Sequence, residues 1–513
     1  MIDGPKDLPP TIPHLAKRGA EVFGAMPAIL EHGETWSYQQ LWAHISRAAS
    51  AMLKAGISHG DRLAIWAPNR REWIVAAIAG QLTGAAIVPL NTRLKGQEAS
   101  DIIRRTSAKA LFTVKDFLGT NYPEMIAGED LPSLSMTICF DSGWADFIAT
   151  GSYDDEAVDQ ALNALNASDV SDIMFTSGTT GIPKGVLTTH DRIIPMFANW
   201  TQLVDLREGD PYLIINPFFH SFGFKAGFVA ALLVGALVVP MAVFDVKKVI
   251  THIEQDRIAF IPGPPTIFQA LLAELAGRSF DYSSLHSAMT GAATVPPSLI
   301  RRMHDELGFE RVLTAYGMTE CTNITSCVPG DSPELIANSC GKAIPGMEVR
   351  IADEEGKEAP RGETGEIHVR GYGVMLGYLD DPEATAEAID PDGWLHTGDV
   401  GTMDENGYVR ITDRKKDMYI SGGFNCYPAE VEKLLANHPA IEMVAVIGVP
   451  DNRMGEVGKA FVVLRPGVTL TDSDLISWAR DNMANYKVPR VVSFVERLPQ
   501  NAAGKVVKTE LRI

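Results

Sequence analysis

A run of glycine and hydroxyl residues is the part of this sequence best suited to chemistry. Residues 176–185 read Thr-Ser-Gly-Thr-Thr-Gly-Ile-Pro-Lys-Gly and directly follow the apolar residues 173–175. Because glycine and proline interrupt helices and strands, the run predicts a loop. Its backbone N–H groups, its hydroxyls and the ammonium of Lys184 can surround a polyphosphate. The pattern differs from GxxxxGK[ST], since Lys184 follows Pro183 and Gly185 comes after it. A surface linker is the alternative for this run taken by itself.

Six further segments of polar, small and aromatic residues follow the loop in a fixed order. They are Asn216-Pro-Phe-Phe-His220-Ser-Phe-Gly-Phe-Lys225, Thr290-Gly-Ala-Ala-Thr294, Tyr316-Gly-Met-Thr-Glu320, Trp394-Leu-His-Thr-Gly-Asp399, Thr412-Asp-Arg-Lys-Lys-Asp417 and Asn501-Ala-Ala-Gly-Lys505. Together with the loop, they resemble the motif series of the adenylate-forming superfamily over essentially the whole chain. That superfamily includes acyl-CoA synthetases, peptide-synthetase adenylation domains and beetle luciferases.

The resemblance implies an acyl-CoA synthetase that forms AMP. A carboxylate attacks the α-phosphorus of ATP to give an acyl-adenylate and pyrophosphate, and coenzyme A then displaces AMP to form the thioester. Phosphoryl transfer of this kind depends on positioning and charge neutralisation more than on covalent help. The implied small molecules are therefore ATP, Mg²⁺, CoA as co-substrate and a carboxylic acid.

The resemblance also assigns a nucleotide site. The phosphate-binding residues are Thr176, Ser177, Gly178, Thr179, Thr180, Gly181, Lys184 and Thr319. The adenine slot comprises Gly291, Ala292, Ala293 and Tyr316, with Gly317 as a further nucleotide contact, and Asp399 and Arg414 hold the ribose side. Mg²⁺ prefers oxygen ligands and keeps several waters, which fits Glu320, with Thr176 as a second candidate ligand. Each carboxylate or guanidinium has an alternative as a turn, helix-start or solvated surface residue.

The candidate catalytic residues are Lys505, Glu320, Thr319, Lys184 and His220. In the family pattern Lys505 bridges the carboxylate and the phosphate, as a point charge where negative charge gathers. His220 resembles the aromatic gate between the acyl pocket and the nucleotide site, and a core histidine is the alternative. Nothing in the pattern requires His220 as a base.

A hinge and a second face follow from the same resemblance. The hinge position is Lys416, and Ser421, Gly422 and Gly423 line a channel for the pantetheine arm, where missing Cβ atoms admit a thin chain. We therefore expect an N-terminal AMP-binding domain of residues 1–415 and a small mobile C-terminal domain of residues 416–513.

Hydrophobic periodicity predicts an α/β fold. Residues 73–90 and 226–244 each run from an apolar helix through glycine into a buried strand, which indicates two stacked α/β subdomains. The second stretch is uncharged for 19 residues, so a membrane span is the alternative. Short alternating strands after Gly346 predict a small β-rich subdomain. The pattern of the C-terminal domain predicts an α+β fold.

Composition narrows the class further. The 513-residue chain has a formal net charge of −19, which argues against nucleic acid or an anionic membrane as a partner. Its five cysteines are irregularly spaced, which favours a reducing cytoplasmic location over a disulfide framework. The twelve histidines contain no HExxH spacing. A homodimer is compatible with the sequence.

The candidate acyl pocket is mostly apolar. Its predicted residues are His220, Phe224 and Met318, with Phe218, Phe219, Phe222 and residues 261–266 as further aromatic or apolar candidates. Core packing is the alternative for these side chains. We expect Lys225 to be a surface lysine at the start of a helix, with contact to a ring ketone as the alternative.

Three strings narrow the substrate. Asn216-Pro-Phe-Phe-His220, Pro262-Gly-Pro-Pro-Thr266 and Gly422-Gly-Phe-Asn-Cys-Tyr-Pro428 resemble a subgroup of actinobacterial steroid-catabolic ligases. That subgroup charges a propanoate side chain on a two-ring hydrindane fragment. A medium- or long-chain fatty acid is the alternative substrate, and a non-catalytic nucleotide-binding protein is the alternative class.

A split between the two half-reactions tests this assignment. We expect Lys505→Ala to slow acyl-adenylate formation by about 100-fold and to spare thioester formation from supplied acyl-adenylate. Lys416→Pro should do the reverse, because it stiffens the hinge. Each half-reaction is measured in single turnover. Equal losses in both steps would contradict the assignment of the two faces.

Overall fold

The computed structural model describes residues 8–153, 155–176, 183–277, 280–291, 295–414, 417–421, 424–451, 453–483, 485–500 and 506–512. The helices are α1 Ile12–Val22, α2 Tyr38–Lys54, α3 Arg71–Leu82, α4 Gly96–Arg105, α5 Tyr122–Met125, α6 Trp144–Ala149, α7 Glu156–Ala164, α8 His190–Val204, α9 Ser221–Gly223, a π-helix Phe224–Val229, α10 Ala230–Val234, α11 Val246–Gln255, α12 Pro265–Glu274, α13 Pro297–Asp305, α14 Pro333–Asn338, α15 Pro382–Ala388, α16 Pro428–Leu435, α17 Asp472–Asn482 and a 3₁₀-helix Lys508–Leu511.

The strands are β1 Pro27–Glu31, β2 Glu34–Ser37, β3 Arg62–Trp66, β4 Ala86–Pro89, β5 Ala110–Thr113, β6 Met136–Cys139, β7 Val170–Thr176, β8 Lys184–Thr189, β9 Pro211–Ile214, β10 Leu237–Pro240, β11 Phe260–Gly263, β12 Ser287–Thr290, β13 Arg311–Met318, β14 Cys321–Ser326, β15 Lys342–Ala343, β16 Met347–Ala352, β17 Gly365–Gly371, β18 Gly377–Tyr378, β19 Leu395–Met403, β20 Val409–Arg414, β21 Tyr419–Ser421, β22 Phe424–Cys426, β23 Ile441–Asp451, β24 Gly455–Leu464 and β25 Val491–Phe494.

Two large sheets organise most of the chain. The first α/β unit contains the sheet β18–β8–β7–β4–β3–β5–β6, in which β3 pairs in parallel with both β4 and β5. The second α/β unit contains the sheet β15–β14–β13–β12–β11–β9–β10–β1–β2, in which β13, β12, β11, β9 and β10 run parallel. Strands buried on both faces explain the apolar runs in the sequence.

The two helix–glycine–strand stretches lie at matching places in the two units. Helix α3 is buried from Trp73 to Leu82, and Gly84 then takes a left-handed φ of 82° before β4. In the second unit Gly235 takes a φ of 79° between α10 and β10. The predicted buried helix, glycine stop and buried strand are thus confirmed. Among the described residues, no helix is both long and apolar enough to cross a membrane.

Two smaller sheets complete the fold. The strands predicted after Gly346 form the antiparallel sheet β16–β17–β19–β20. The C-terminal strands form β22–β21–β24–β23, with β25 parallel to β24. One large apolar core includes residues from Ile12 to Val409, and two smaller cores include residues from Tyr419 to Leu511. The boundary at Lys416 remains a prediction, because this residue lies outside the described part of the chain.

A buried amide connects the two α/β units. Asn69 follows β3 and is 4% exposed. Its Nδ2 donates to the carbonyls of Ile214 and Asn216 at 3.2 and 2.9 Å, and its Oδ1 accepts the Phe218 N–H at 2.7 Å. One side chain in the first unit therefore satisfies three backbone groups in the loop after β9.

We expect Asn69→Ala to lower the apparent melting temperature by about 5 °C. Removal of the amide takes this partner from the Asn216 carbonyl and the Phe218 N–H, and each buried group orphaned in this way costs about 1–3 kcal/mol. The Ile214 carbonyl keeps the Met241 N–H at 3.0 Å. Thermal unfolding of the full chain measures this effect. The matched control is Asn163→Ala on the exposed side of α7, where we expect a shift of about 1 °C or less. A shift no larger than the control would contradict the interpretation.

Candidate active site

The predicted site residues of the second unit lie at the carboxyl ends of its parallel strands. Gly291 follows β12, and the turn that contains Thr319 and Glu320 follows β13. The two strands are in parallel register, with Thr290 opposite Thr314. The loop that leads to His220 follows β9 in the same sheet. In open α/β sheets, ligands bind at this edge of the strands.

The phosphate-loop candidates lie at the end of a hairpin in the first unit. Strands β7 and β8 pair antiparallel, and Thr176 lies opposite Lys184 in the register. Both side chains are half-buried. The intervening candidates Ser177, Gly178, Thr179, Thr180 and Gly181 lie outside the described residues. The structure therefore defines where the predicted loop begins and ends.

Tyr378 connects the hairpin to the turn after β13. Its strand, β18, pairs with β8, and the Nζ of Lys184 lies 4.9 Å from the centre of the Tyr378 ring. The Tyr378 hydroxyl donates to Oε1 of Glu320 at 3.0 Å. Burial, and then the Glu320 carboxylate, raise the pKa of Tyr378, so the phenol remains a donor at neutral pH. Lys184 and Glu320, two predicted site residues from different units, thus share one neighbour.

Glu320 fits the ligand requirements of Mg²⁺. The residue is 8% exposed, so its carboxylate lies in a shielded position. Among the described residues, no group of three or more His, Cys, Asp or Glu side chains could hold a metal ion. A single carboxylate is sufficient for Mg²⁺, which keeps several waters and takes phosphate oxygens from a nucleotide. The other predicted ligand, Thr176, lies on the hairpin.

The predicted adenine and ribose residues lie together. The Tyr316 hydroxyl donates to Oδ2 of Asp399 at 2.6 Å, and both side chains are buried. Burial, and then the Asp399 carboxylate, raise the pKa of Tyr316 well above its ordinary value. Asp399 lies opposite Arg414 in the β19–β20 register, so the backbone brings these two candidates side by side.

Only glycine fits at position 317, because a Cβ there would collide with the neighbouring backbone. A Cβ at this position would lie 2.0 Å from the carbonyl oxygen of Thr322. Gly291 is less constrained, because a Cβ there would lie 3.6 Å from the Ala315 oxygen. The adjacent candidates Ala292 and Ala293 lie outside the described residues.

His220 lies at the start of α9 with its ring accessible to solvent. The ring Nδ1 accepts the Phe222 N–H at 3.2 Å. The protein that crowds the ring, and then the charge of Lys225, lower the pKa of His220 to about 4. The ring is therefore neutral at pH 7, which agrees with a steric gate rather than a charged group.

The acyl-pocket candidates differ in environment. Phe224 is fully buried and packs on Phe228 at 5.0 Å and on Trp73 at 5.8 Å, between ring centres. Phe218 is also fully buried, against the same two rings. Core packing, the alternative given above, describes these two phenylalanines. Met318 is half-buried at the end of β13.

The expectation of a surface position for Lys225 is wrong. Lys225 lies in the π-helix and is fully buried. Its Nζ lies 3.0 Å from Oδ2 of Asp172, which is also fully buried. A charge can be buried in this way when it is paired. The pattern of the sequence around Lys225 does not show a partner on β7.

The candidates of the C-terminal part are described only partly. Ser421 is buried in β21, and this strand pairs with β24 at Gly455. Lys505, Lys416, Gly422 and Gly423 lie outside the described residues. Their roles remain predictions.

Sequence reasoning missed Tyr378 and Asp172. Tyr378 lies in a Gly-Tyr pair within a turn-rich segment, and Asp172 lies inside β7, directly before the apolar residues 173–175. One available signal was a carboxylate inside a strand that is otherwise apolar, since a buried charge requires a partner.

Comparison with known proteins agrees with this arrangement. The AMP-binding enzyme family matches residues 16–379, and the AMP-binding enzyme C-terminal domain matches residues 430–505. The chain is 48% identical to the 3-[(3aS,4S,7aS)-7a-methyl-1,5-dioxo-octahydro-1H-inden-4-yl]propanoyl:CoA ligase of Rhodococcus jostii (strain RHA1), with 98% of each chain covered. It is 47% identical to the ligase of the same name from Mycobacterium tuberculosis (strain ATCC 25618 / H37Rv), again with 98% of each covered.

A solved structure extends the likeness to the fold. ATP-bound MatB from Rhodopseudomonas palustris superposes with a TM-score of 0.88 at 30% identity, with 98% of each chain covered. The chain belongs to the family of AMP-binding, adenylate-forming enzymes. It is an AMP-forming acyl-CoA ligase, and its reaction uses ATP, Mg²⁺ and CoA.

We expect Tyr378→Phe to raise the Mg²⁺ concentration for half-maximal adenylation by about 10-fold. The substitution keeps the ring beside Lys184 and removes the hydroxyl that orients Glu320, and loss of such an outer contact typically costs 10- to 100-fold. Pyrophosphate release measured across a Mg²⁺ titration checks this. Tyr372→Phe is the matched control, because the Tyr372 hydroxyl contacts Asn199. An unchanged Mg²⁺ requirement would remove Tyr378 from this role.

Proposed function

We propose that this ligase activates a propanoate side chain carried on a fused two-ring hydrindane ketone. The observation that carries the proposal is the 48% and 47% identity, over 98% of each chain, to two ligases whose names specify that acid. A feruloyl-CoA synthase from Amycolatopsis sp is 37% identical, and a human medium-chain acyl-CoA ligase is 32% identical. Of these four relatives, the two named for the bicyclic propanoate therefore share the higher sequence identity with this chain, and the two named for other acids share less.

The first half-reaction takes place at the edge shared by the two units. The carboxylate oxygen of the acid attacks the α-phosphorus of ATP, and pyrophosphate leaves. Lys184 and the loop after Thr176 hold the phosphate oxygens. Glu320 would hold Mg²⁺, which would supply charge neutralisation at the phosphates. Such preorganised charges act where negative charge develops, which is how electrostatic catalysis lowers a barrier.

The nucleotide is oriented by the second unit and the small β-sheet. Gly291 and Tyr316 border the adenine, and the Asp399 carboxylate accepts hydrogen bonds from the ribose hydroxyls beside Arg414. The bond between Tyr316 and Asp399 supports this role, since it holds the carboxylate in one orientation. Orientation of the α-phosphate against the acid reduces the entropy cost of the step.

The acid approaches past His220. A neutral, uncharged imidazole at this position supports a gate for an apolar acyl group. Met318 borders the acid near the end of β13. Lys505 joins the carboxylate and the phosphate during adenylation, and Lys416 allows the C-terminal domain to present residues 421–423 to CoA. The deprotonated sulfur of CoA then attacks the acyl carbonyl, and AMP leaves.

The setting of the enzyme follows from the same observations. All five cysteines are free, which supports a reducing, cytoplasmic compartment. The acidic net charge supports small-molecule partners rather than nucleic acid. The sequence is compatible with a homodimer, and light scattering of the purified chain measures whether one forms.

A substrate panel tests the proposal. The purified chain receives ATP, Mg²⁺ and CoA together with the bicyclic dione propanoate, ferulate or saturated acids of 6 to about 16 carbons, chosen to match the relatives. We expect CoA-dependent AMP release with kcat/KM for the bicyclic acid at least about 100-fold above that for the linear acids. A maximum on a linear acid would overturn the substrate but keep the reaction. AMP release that ignores CoA would overturn the ligase mechanism for this chain.

A further inference from the structure

A fully buried ion pair joins the two α/β units. Lys225 Nζ lies 3.0 Å from Oδ2 of Asp172 and donates to Oγ1 of Thr188 at 3.1 Å. The side chains of Lys225 and Asp172 are 0% exposed. Burial raises the pKa of the Asp172 carboxyl, and the Lys225 ammonium is the largest influence that opposes this rise. Lys225 belongs to the second unit, whereas Asp172 and Thr188 belong to the first.

The ion pair contacts the same face of the hairpin that carries the phosphate-binding candidates. Asp172 and Thr188 are register partners, as are Thr176 and Lys184 further along. Side chains at i and i+4 of a strand point to the same face, and so do cross-strand partners. We call this set of Asp172, Thr188, Thr176 and Lys184 the ladder face. Its two partner pairs are four residues apart, or about 13 Å.

Lys225, the second member of the ion pair, follows closely in the chain on His220, the candidate acyl gate. Lys225 is the second residue of the π-helix, which follows directly on α9 and His220. This segment is kinked at Gly227, whose φ of −85° and ψ of −109° are not helical. The charge of Lys225 also reaches Cys321, where it opposes the rise in pKa that burial and Glu320 cause. One ammonium therefore contacts the ladder face, and its charge acts on His220 and on Cys321, the residue after Glu320.

The geometry of the preceding turn makes this placement specific. A Cβ at Gly223 would lie 2.2 Å from the carbonyl oxygen of Pro217, so only glycine fits between His220 and the π-helix. The turn is therefore tightly packed, and a shift of the π-helix would carry His220 with it. The contacts of Lys225 join that helix to Asp172 on β7 and to Thr188 on β8.

We propose that Lys225 and Asp172 form a positioning pair, which sets the distance between the acyl gate at His220 and the phosphate-binding hairpin for the adenylation step. The pair does not touch substrate. It acts through Thr176 and Lys184 on one side and through His220 on the other. The inference rests on the adenylation chemistry of the proposed function, but not on the identity of the acid.

The test separates the two half-reactions in Lys225→Met and Asp172→Asn, made in the full chain. We expect each to slow single-turnover adenylation by about 100-fold, as a misplacement of about 1 Å does, with KM for the acid raised. Thioester formation from supplied acyl-adenylate should change by less than about 3-fold, because that step does not use the phosphate loop. The acid is whichever panel member the unaltered enzyme accepts, so failure of the bicyclic assignment leaves this test intact.

Two further variants separate positioning from stability. Tyr38→Phe removes another buried bond, from the Tyr38 hydroxyl to the Ala236 carbonyl at 2.7 Å, away from the ladder face. We expect it to lower the melting temperature and leave both half-reactions unchanged. The double variant Lys225→Met, Asp172→Asn should regain melting temperature without regaining the adenylation rate, whereas Lys225→Arg should regain part of that rate. Equal losses in both half-reactions, or full adenylation in the double variant, would overturn the proposal.

Discussion

The relative placement of two separately built sheets is the constraint on which this active site depends. Each sheet is held together by its own backbone hydrogen bonds, but no strand pairing joins β7 to β9. Side-chain links among the described residues join the units instead, including Asn69 to the end of β9 and the loop after it, Lys225 to Asp172, and Tyr378 to Glu320. Apolar packing alone is non-directional. Polar links between buried groups specify one alignment, because any other leaves a group without its partner.

The site also explains how a chain with a negative net charge can bind negatively charged ligands. The formal net charge of −19 would repel ATP and CoA if the charge were spread evenly over the ligand-binding surface. Lys184 lies instead at the start of β8, beside the ring of Tyr378, whose hydroxyl bonds to the shielded carboxylate of Glu320. Attraction is thereby local, and the rest of the surface keeps a charge that favours solubility.

Local features of the sequence predicted local structure well. The helix–glycine–strand stretches and the antiparallel strands after Gly346 follow from apolar runs and from glycine's left-handed conformation, which neighbouring residues determine. The motif resemblance also brought together Thr176 with Lys184 and Asp399 with Arg414, which the registers place opposite each other. Lys225 was misjudged and Tyr378 was missed for one reason. Their partners lie far away along the chain, and pairing across two units leaves no periodic pattern.

The short strand β18 has a second consequence, for the behaviour of the protein at high concentration. Without it, β8 would be the outer strand of its sheet. The N–H groups of Leu376 and Leu379 donate to the carbonyls of Leu187 and Gly185, so residues 376–379 occupy the backbone groups that β8 would otherwise present. Unpaired strand edges are templates for association between chains. The segment that carries Tyr378 therefore also pairs the backbone of β8, and it leaves the two-residue strand β18 as the outer strand of this sheet.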